Sequence, residues 1–174
     1  MALENAAVLE RVQARFGQAV LGTGEFRGTL ALQLRPDTLP DVAAFLREDP
    51  ELQYILLANV CGVDYLGREP RFEVVYHFTS LMHNHRIALK VGADEDDPRV
   101  PSIAREFPTA TFQEREVYDM FGIIFDGHPD LQRILMPEDW DGFPQRKTEP
   151  LVYEEVAFTF NHDEIDAQKP YAKE

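Results

Sequence analysis

Four charged side chains crowd one short stretch of the chain: Glu114, Arg115, Glu116 and Asp119. Carboxylates this close could act as general acid and base, provided that burial or a neighbour perturbs one of them. The arginine among them argues against that. On a helix, Arg115 and Asp119 fall one turn apart and can pair for roughly a few tenths of a kcal/mol. The stretch is then an ionic helix face, satisfied by Arg115 and by a partner protein, and no catalysis is expected from it. His83 and His85 form a second candidate, because alternate residues of a strand project from one face and two imidazoles can begin a metal site. Glu73 or His77 on a neighbouring strand could supply a third ligand, but a solvated strand end is the expected reading. His128, before Pro129, could relay protons. A histidine that bonds the backbone of its turn is expected instead. Tyr118, Trp140 and Phe143 suit packing anchors better than a cofactor-stacking set. No glycine loop of a phosphate-binding type occurs, so nucleotide binding has no support.

The bulk composition narrows the functional classes. The 174 residues include 31 acidic and 17 basic side chains, a formal net charge of −14. Such a surface repels phosphate backbones and anionic lipid heads and attracts basic partner surfaces, so nucleic-acid binding is not expected. The single cysteine, Cys61, can form no internal disulfide, and the chain alone cannot supply four thiolates to a cluster. It sits in an apolar run, where a small buried hydrophobe is the default. No apolar segment approaches the ~18 residues that span a bilayer, and no secretory leader is visible. A cytoplasmic chain is expected, with membrane association only through partners.

Residues 3–16 place Leu3, Ala6, Ala7, Val12 and Phe16 near helical spacing, and Gly22 and Gly24 read as a turn. Leu30, Leu32 and Leu34 alternate as in a half-buried strand. Thr38 to Asp41 can open a second helix, whose Leu39, Val42, Ala43 and Leu46 form a core stripe. Residues 53–60 are almost continuously apolar and read as a central strand buried on both faces. Phe72, Val74, Tyr76 and Phe78 share one face of the next strand, which can pair with it as a hairpin. Ile87, Leu89 and Val91 share a face of a third. Asp94 to Pro98 closes the sheet region as an acidic loop. Thr111 to Glu114 fits a capping box for a helix that stops at Gly122, and Leu131, Ile134 and Leu135 suit a further helical turn. The order predicts an α+β two-layer sandwich, helices packed on a mixed β-sheet. The body spans residues 1–139. Residues 140–174 carry prolines and unphased aromatics and form an extended, partner-docking C-terminal arm.

Glu114-Arg115-Glu116, Tyr118-Asp119, Phe121-Gly122, Gly127-His128-Pro129-Asp130-Leu131 and Arg133-Ile134-Leu135 make a spaced signature, continued by Gly142, Pro144, Arg146 and Lys147. It resembles that of the 30 kDa subunit family, lettered C, of respiratory complex I, the proton-pumping NADH:quinone oxidoreductase. Gly62 to Tyr65, and Glu95, Asp97, Pro98, Arg99 and Pro101, match more loosely. Gln132, Gln145 and Thr148-Glu149 depart from the residues usual in that family.

The resemblance implies a component of a respiratory-chain translocase, carried on the cytoplasmic side of the bacterial inner membrane in the peripheral arm. FMN, iron–sulfur clusters, NADH and quinone belong to the holoenzyme, and none of them to this chain. The implied main partner is the subunit that shapes the quinone pocket, lettered D in complex I. The cluster-bearing subunits lettered B and I are implied nearby. The implied role is a scaffold with no catalytic residues. Glu114, Arg115, Glu116, Asp119, His128, Arg133, Arg146 and Lys147 then serve packing or contacts with other subunits. The rivals are the same role in a complex fed by ferredoxin or a deazaflavin, and a stand-alone metal enzyme built on His83 and His85.

Overall fold

A computed structural model of the chain describes residues 3–149. The elements follow in the order α1 (Asn5–Phe16), β1 (Val20–Phe26), β2 (Thr29–Leu34), α2 (Leu39–Glu48), β3 (Leu56–Asp64), β4 (Phe72–Ser80) and β5 (His85–Ala93). A short β6 (Arg99–Pro101), α3 (Ala110–Phe121) and β7 (Ile124–Asp126) complete them. β1 to β5 form one sheet in the order β1-β2-β5-β4-β3. The β2–β5 pair is parallel and the others antiparallel, so the sheet is mixed. β6 and β7 make a separate parallel pair.

Strand alternation sends Leu30, Leu32, Leu34, Phe72, Val74, Tyr76, Phe78, Ile87, Leu89 and Val91 to one face, where all are buried. Helices cover that face. α1 contributes Val8 and Val12, α2 contributes Leu39, Val42, Ala43 and Leu46, and α3 contributes Val117, Met120 and Phe121. Each valine, leucine, isoleucine, methionine or phenylalanine so buried contributes about 1.5–3 kcal/mol. The fold is therefore the α+β sandwich that the sequence predicts.

Several local readings change. β3 is an edge strand and β5 the central one. An unbroken apolar run does not distinguish a strand buried on both faces from an edge strand that leaves some apolar side chains outside. Here Ile55 and Leu56 are 53% and 40% exposed, while Tyr54 turns inward. Gly22 and Gly24 lie within β1, and the turn falls instead at Arg27 and Gly28, whose φ angles are 51° and 80°. Ala6 and Ala7 are exposed on α1, and Val8 takes the buried position. Residues 140–149 lie against the body, as shown below, so the packed body extends past residue 139. The rest of the expected arm, residues 150–174, is outside the described residues.

Gly62 permits α3 to press on β3. A β-carbon there would stand 2.7 Å from the Phe121 ring and 3.1 Å from Val117. Gly62→Val should therefore destabilise the fold by about 2 kcal/mol through overpacking, despite the higher strand propensity of valine. Thermal unfolding should show a melting temperature lower by about 5 °C, and an unchanged or raised value would refute the close packing.

Candidate functional site

The signature residues converge on the end of α3. Gly122 adopts φ 73° and its N–H bonds the Tyr118 carbonyl at 2.8 Å, a left-handed stop that only glycine adopts without strain. One turn earlier, Asp119 is fully buried. Its Oδ2 accepts the N–H groups of Ile134 at 3.0 Å, Leu135 at 2.7 Å and Met136 at 2.9 Å. Its Oδ1 accepts Arg133 Nη1 at 2.7 Å. Consecutive amides aimed at one anion form a nest, here filled by the protein's own carboxylate. Burial pushes the Asp119 pKa up, but the Met136 amide, Arg133 and the other two amides outweigh it and hold the group at about 2.

This geometry replaces two expectations. Leu131 to Leu135 form no helical turn; the amides of Ile134, Leu135 and Met136 bond Asp119 Oδ2 instead. Nor does Arg115 pair with Asp119. It donates to the carbonyls of Gln132 at 3.0 Å and Arg133 at 2.9 Å, gripping the same loop from outside. Arg133 also donates to the carbonyls of Trp140 at 3.1 Å and Gly142 at 2.9 Å.

Glu114 turns inward too. Ser102 Oγ donates to its Oε2 at 2.5 Å and the Ile103 N–H to its Oε1 at 2.9 Å. The expected capping box is therefore absent: α3 begins at Ala110, with no side-chain cap. Burial raises the Glu114 pKa to about 7, against the lowering effect of those two bonds. Neither Glu114 nor Asp119 is available to an outer ionic face, and Arg115 is committed to the loop carbonyls, so of that expected face only Glu116 stays exposed. Periodicity alone could not show this, since the partners lie in loops outside the helix. His128 Nε2 donates to the Thr111 carbonyl at 3.0 Å and Nδ1 accepts the Asp130 N–H at 3.0 Å. Those bonds select one neutral tautomer and tie the turn to α3.

Residues 140–149 close over the other side. Phe143 meets Tyr118 edge to face, with ring centres 6.2 Å apart, and Arg133 lies 5.2 Å from the Phe143 centre. Arg146 sits between the Phe143 and Phe72 rings at 4.7 and 5.1 Å and donates Nε to the Phe121 carbonyl at 2.6 Å. Lys147 contributes its backbone N–H, 2.9 Å from Asp64 Oδ2, and the residue is otherwise exposed. Trp140, expected as an anchor, is 39% exposed.

Asp64 belongs to a pair that sequence reasoning missed. Arg71 grips it through Nε–Oδ1 at 2.9 Å and Nη2–Oδ2 at 2.8 Å, both side chains buried. Arg71 reaches Glu95 at 2.6 Å and Thr148 Oγ1 at 3.3 Å as well, so Thr148 has a structural use here. The fork to Arg71 holds the Asp64 carboxyl below its ordinary range. The loosely matched Gly62 to Tyr65 stretch was the available signal for Asp64; Arg71 had none.

The histidine pair makes no solvated strand end. His83 precedes β5, and both ring nitrogens of His85 are engaged, by the Tyr54 hydroxyl at 2.6 Å and Asn5 Oδ1 at 2.9 Å. Among the described residues, no three His, Cys, Asp or Glu side chains group to hold a metal ion. No described helix is long and apolar enough to cross a membrane.

Residues 32–155 match the family described as the respiratory-chain NADH dehydrogenase 30 Kd subunit. The chain belongs to this family. It is 62% identical over its whole length to the whole of the NADH-quinone oxidoreductase C-subunit of Roseiflexus sp. (strain RS-1). The protein of the same name from Herpetosiphon aurantiacus is 55% identical over 99% of each chain. Among solved structures, a trypsin-resistant fragment (1–134) of Nqo5 is 34% identical, with a TM-score of 0.63 over 72% of this chain and 98% of that one. A chain of an archaeal membrane-bound sulfane sulfur reductase complex shares the fold, with a TM-score of 0.70 at 18% identity over 97% and 95% of the two chains. This family member is thus one of the subunits of the multisubunit NADH-quinone oxidoreductase, of the complex I family.

Asp119→Asn removes the charge that four donors converge on and leaves Arg133 without its counter-ion. Breaking a buried pair in this way should cost about 3 kcal/mol in denaturant unfolding, and a loss below about 0.5 kcal/mol, ordinary for surface positions, would show that the loop holds without the carboxylate. Glu114 makes an opposite pH signature. Its folded pKa of about 7 lies above the ordinary 4.5, so the folded chain keeps a proton that the unfolded chain releases. Stability should therefore fall by about 3 kcal/mol as pH rises from about 4.5 to about 7. Glu114→Gln should flatten that slope, and a slope that persists in the variant would assign it to another group.

Proposed function

We propose that the chain is a cofactor-free scaffold of the peripheral arm, on the cytoplasmic side of the inner membrane. It packs against the quinone-pocket subunit lettered D, with the cluster-bearing subunits B and I nearby. The observation that carries this reading is what the signature side chains do. Glu114, Arg115, Asp119, His128, Arg133 and Arg146 all serve internal bonds. Meanwhile the loop they hold exposes Ile134, Leu135 and Trp140 by 39%, 62% and 39%. A polar cluster that builds and stiffens an apolar loop is suited to docking, since interface anchors are typically aromatic or aliphatic groups on a preformed surface. Glu116 and Lys147, whose side chains make no internal bond among the described residues, are the signature charges left for contact with other subunits.

FMN, the clusters, NADH and quinone are then held by the other subunits, and this chain fixes their geometry. A displacement of ~1 Å near a reacting centre can lower a rate by orders of magnitude, which makes rigidity a contribution in itself. Residues 149–174 carry seven acidic residues against two lysines, and several aromatics. That composition suits an arm laid along a basic partner surface. Nqo5's fragment 1–134 resists trypsin and aligns with 72% of this chain, which supports a body that stands without its carboxyl-terminal segment. The relatives' name, NADH-quinone oxidoreductase, favours NADH over ferredoxin or a deazaflavin as donor.

Leu135→Glu combined with Trp140→Ala tests the docking loop. Both side chains are exposed, so the melting temperature of the full chain should stay within about 2 °C of wild type. Assembled complex in the membranes, measured by native electrophoresis and NADH:quinone activity, should fall about tenfold, the loss expected for an interface anchor. Normal assembly with both changes would refute the loop as a contact between subunits.

A further inference from the structure

The face of the five-stranded sheet turned away from α1, α2 and α3 carries a groove of about 980 Å³. It lies towards one end, where the β1–β2 turn, the β4–β5 turn and the start of β3 come together. Its floor includes Ala31 and Ala88, small residues that let another chain approach the sheet. Phe26, Leu56 and Leu81 stand at its margin, exposed by 72%, 40% and 60%.

The charge of the groove is opposite to that of the molecule. Arg27, Arg86 and Lys90 line it, with no aspartate or glutamate among the described lining residues, in a chain of net charge −14. Lys90 is paired with Glu73 at 3.1 Å, and Arg27 lies 5.1 Å over the Phe26 ring. Arg27 and Arg86 make no salt bridge among the described residues. The ring nitrogen Nδ1 of His77, also in the groove, is buried with no hydrogen-bond partner among them. Arginine beside exposed aromatic and aliphatic groups is the composition of a protein interface, and its positive potential selects acidic partners.

We propose that this groove receives an acidic segment of a neighbouring protein of the complex. Apolar side chains of that segment cover Phe26, Leu56 and Leu81, and its carboxylates meet Arg27 and Arg86. A second copy of the chain is a poorer occupant, since a two-fold contact on this face sets cations against cations. The chain's own terminal segment, residues 150–174, is acidic as well, and the crosslink distinguishes it from a neighbouring protein.

Photo-crosslinking in the assembled complex tests the assignment. p-Benzoylphenylalanine is placed at Thr29 in the groove and, as a control, at exposed Glu10 on α1. Irradiation should join Thr29 to a peptide of a different protein that carries net negative charge. Arg27→Glu with Arg86→Glu should lower that yield at least tenfold, while circular dichroism of the full chain stays at wild type. If the reversal perturbs folding, Arg27→Gln with Arg86→Gln is used, and a fivefold loss is expected. An adduct to residues 150–174, to a second copy or to a peptide without acidic residues would overturn the proposal. So would no adduct at all, or a yield indifferent to both arginines.

Discussion

Removing a carboxylate from water costs several kcal/mol unless protein donors replace the lost hydration. Asp119 meets that condition with Arg133 and the successive amides of Ile134, Leu135 and Met136. The rest of the carboxyl-terminal structure follows from it. Binding three amides on one oxygen sets the path of the loop, and the loop brings Arg133 to the Trp140 and Gly142 carbonyls. Gly142 starts the turn that places Phe143 under Arg133 and Arg146, and Arg146 returns to the Phe121 carbonyl at the end of the same helix.

Glu114 and Asp119 show how neighbouring acids on one helix diverge. Both are excluded from solvent. Glu114 receives one hydroxyl and one amide, too little to offset burial, and is raised to about 7. Asp119 receives a guanidinium and three amides and is lowered to about 2. The number and charge of donors decides the direction, since burial acts on both in the same sense. A raised carboxyl pKa is often a mark of catalysis, yet Glu114 serves to anchor the Ser102–Ile103 turn to α3. The Asp64–Arg71 pair does comparable work on the other side of the closing segment, where Lys147 and Thr148 reach it.

Much of the fold was legible because it rests on local periodicity. Alternation at Phe72 to Phe78 and Ile87 to Val91, the stripe on α2 and the stop at Gly122 need only the short-range geometry of strands, helices and caps. The edge position of β3 was not legible, because a run such as residues 53–60 carries no mark of what lies beside it. The site was legible as a group of residues and illegible as a geometry. Charge pairing within the helix favoured Arg115 with Asp119, but each found a loop partner between 14 and 18 residues away. A contribution of a few tenths of a kcal/mol from an exposed pair cannot compete with a buried anion's need for donors. Arg71 was overlooked since nothing near it in sequence predicts a fork to Asp64.

The nest around Asp119 has a thermodynamic consequence for recognition. A surface loop ordinarily loses about 1–2 kcal/mol of backbone entropy per residue when a partner immobilises it. Ile134, Leu135 and Met136 have already met that loss during folding, offset inside the chain by a carboxylate and a guanidinium. Any molecule that meets Ile134 and Leu135 therefore binds a surface already in its final shape, and more of the apolar contact energy appears as affinity.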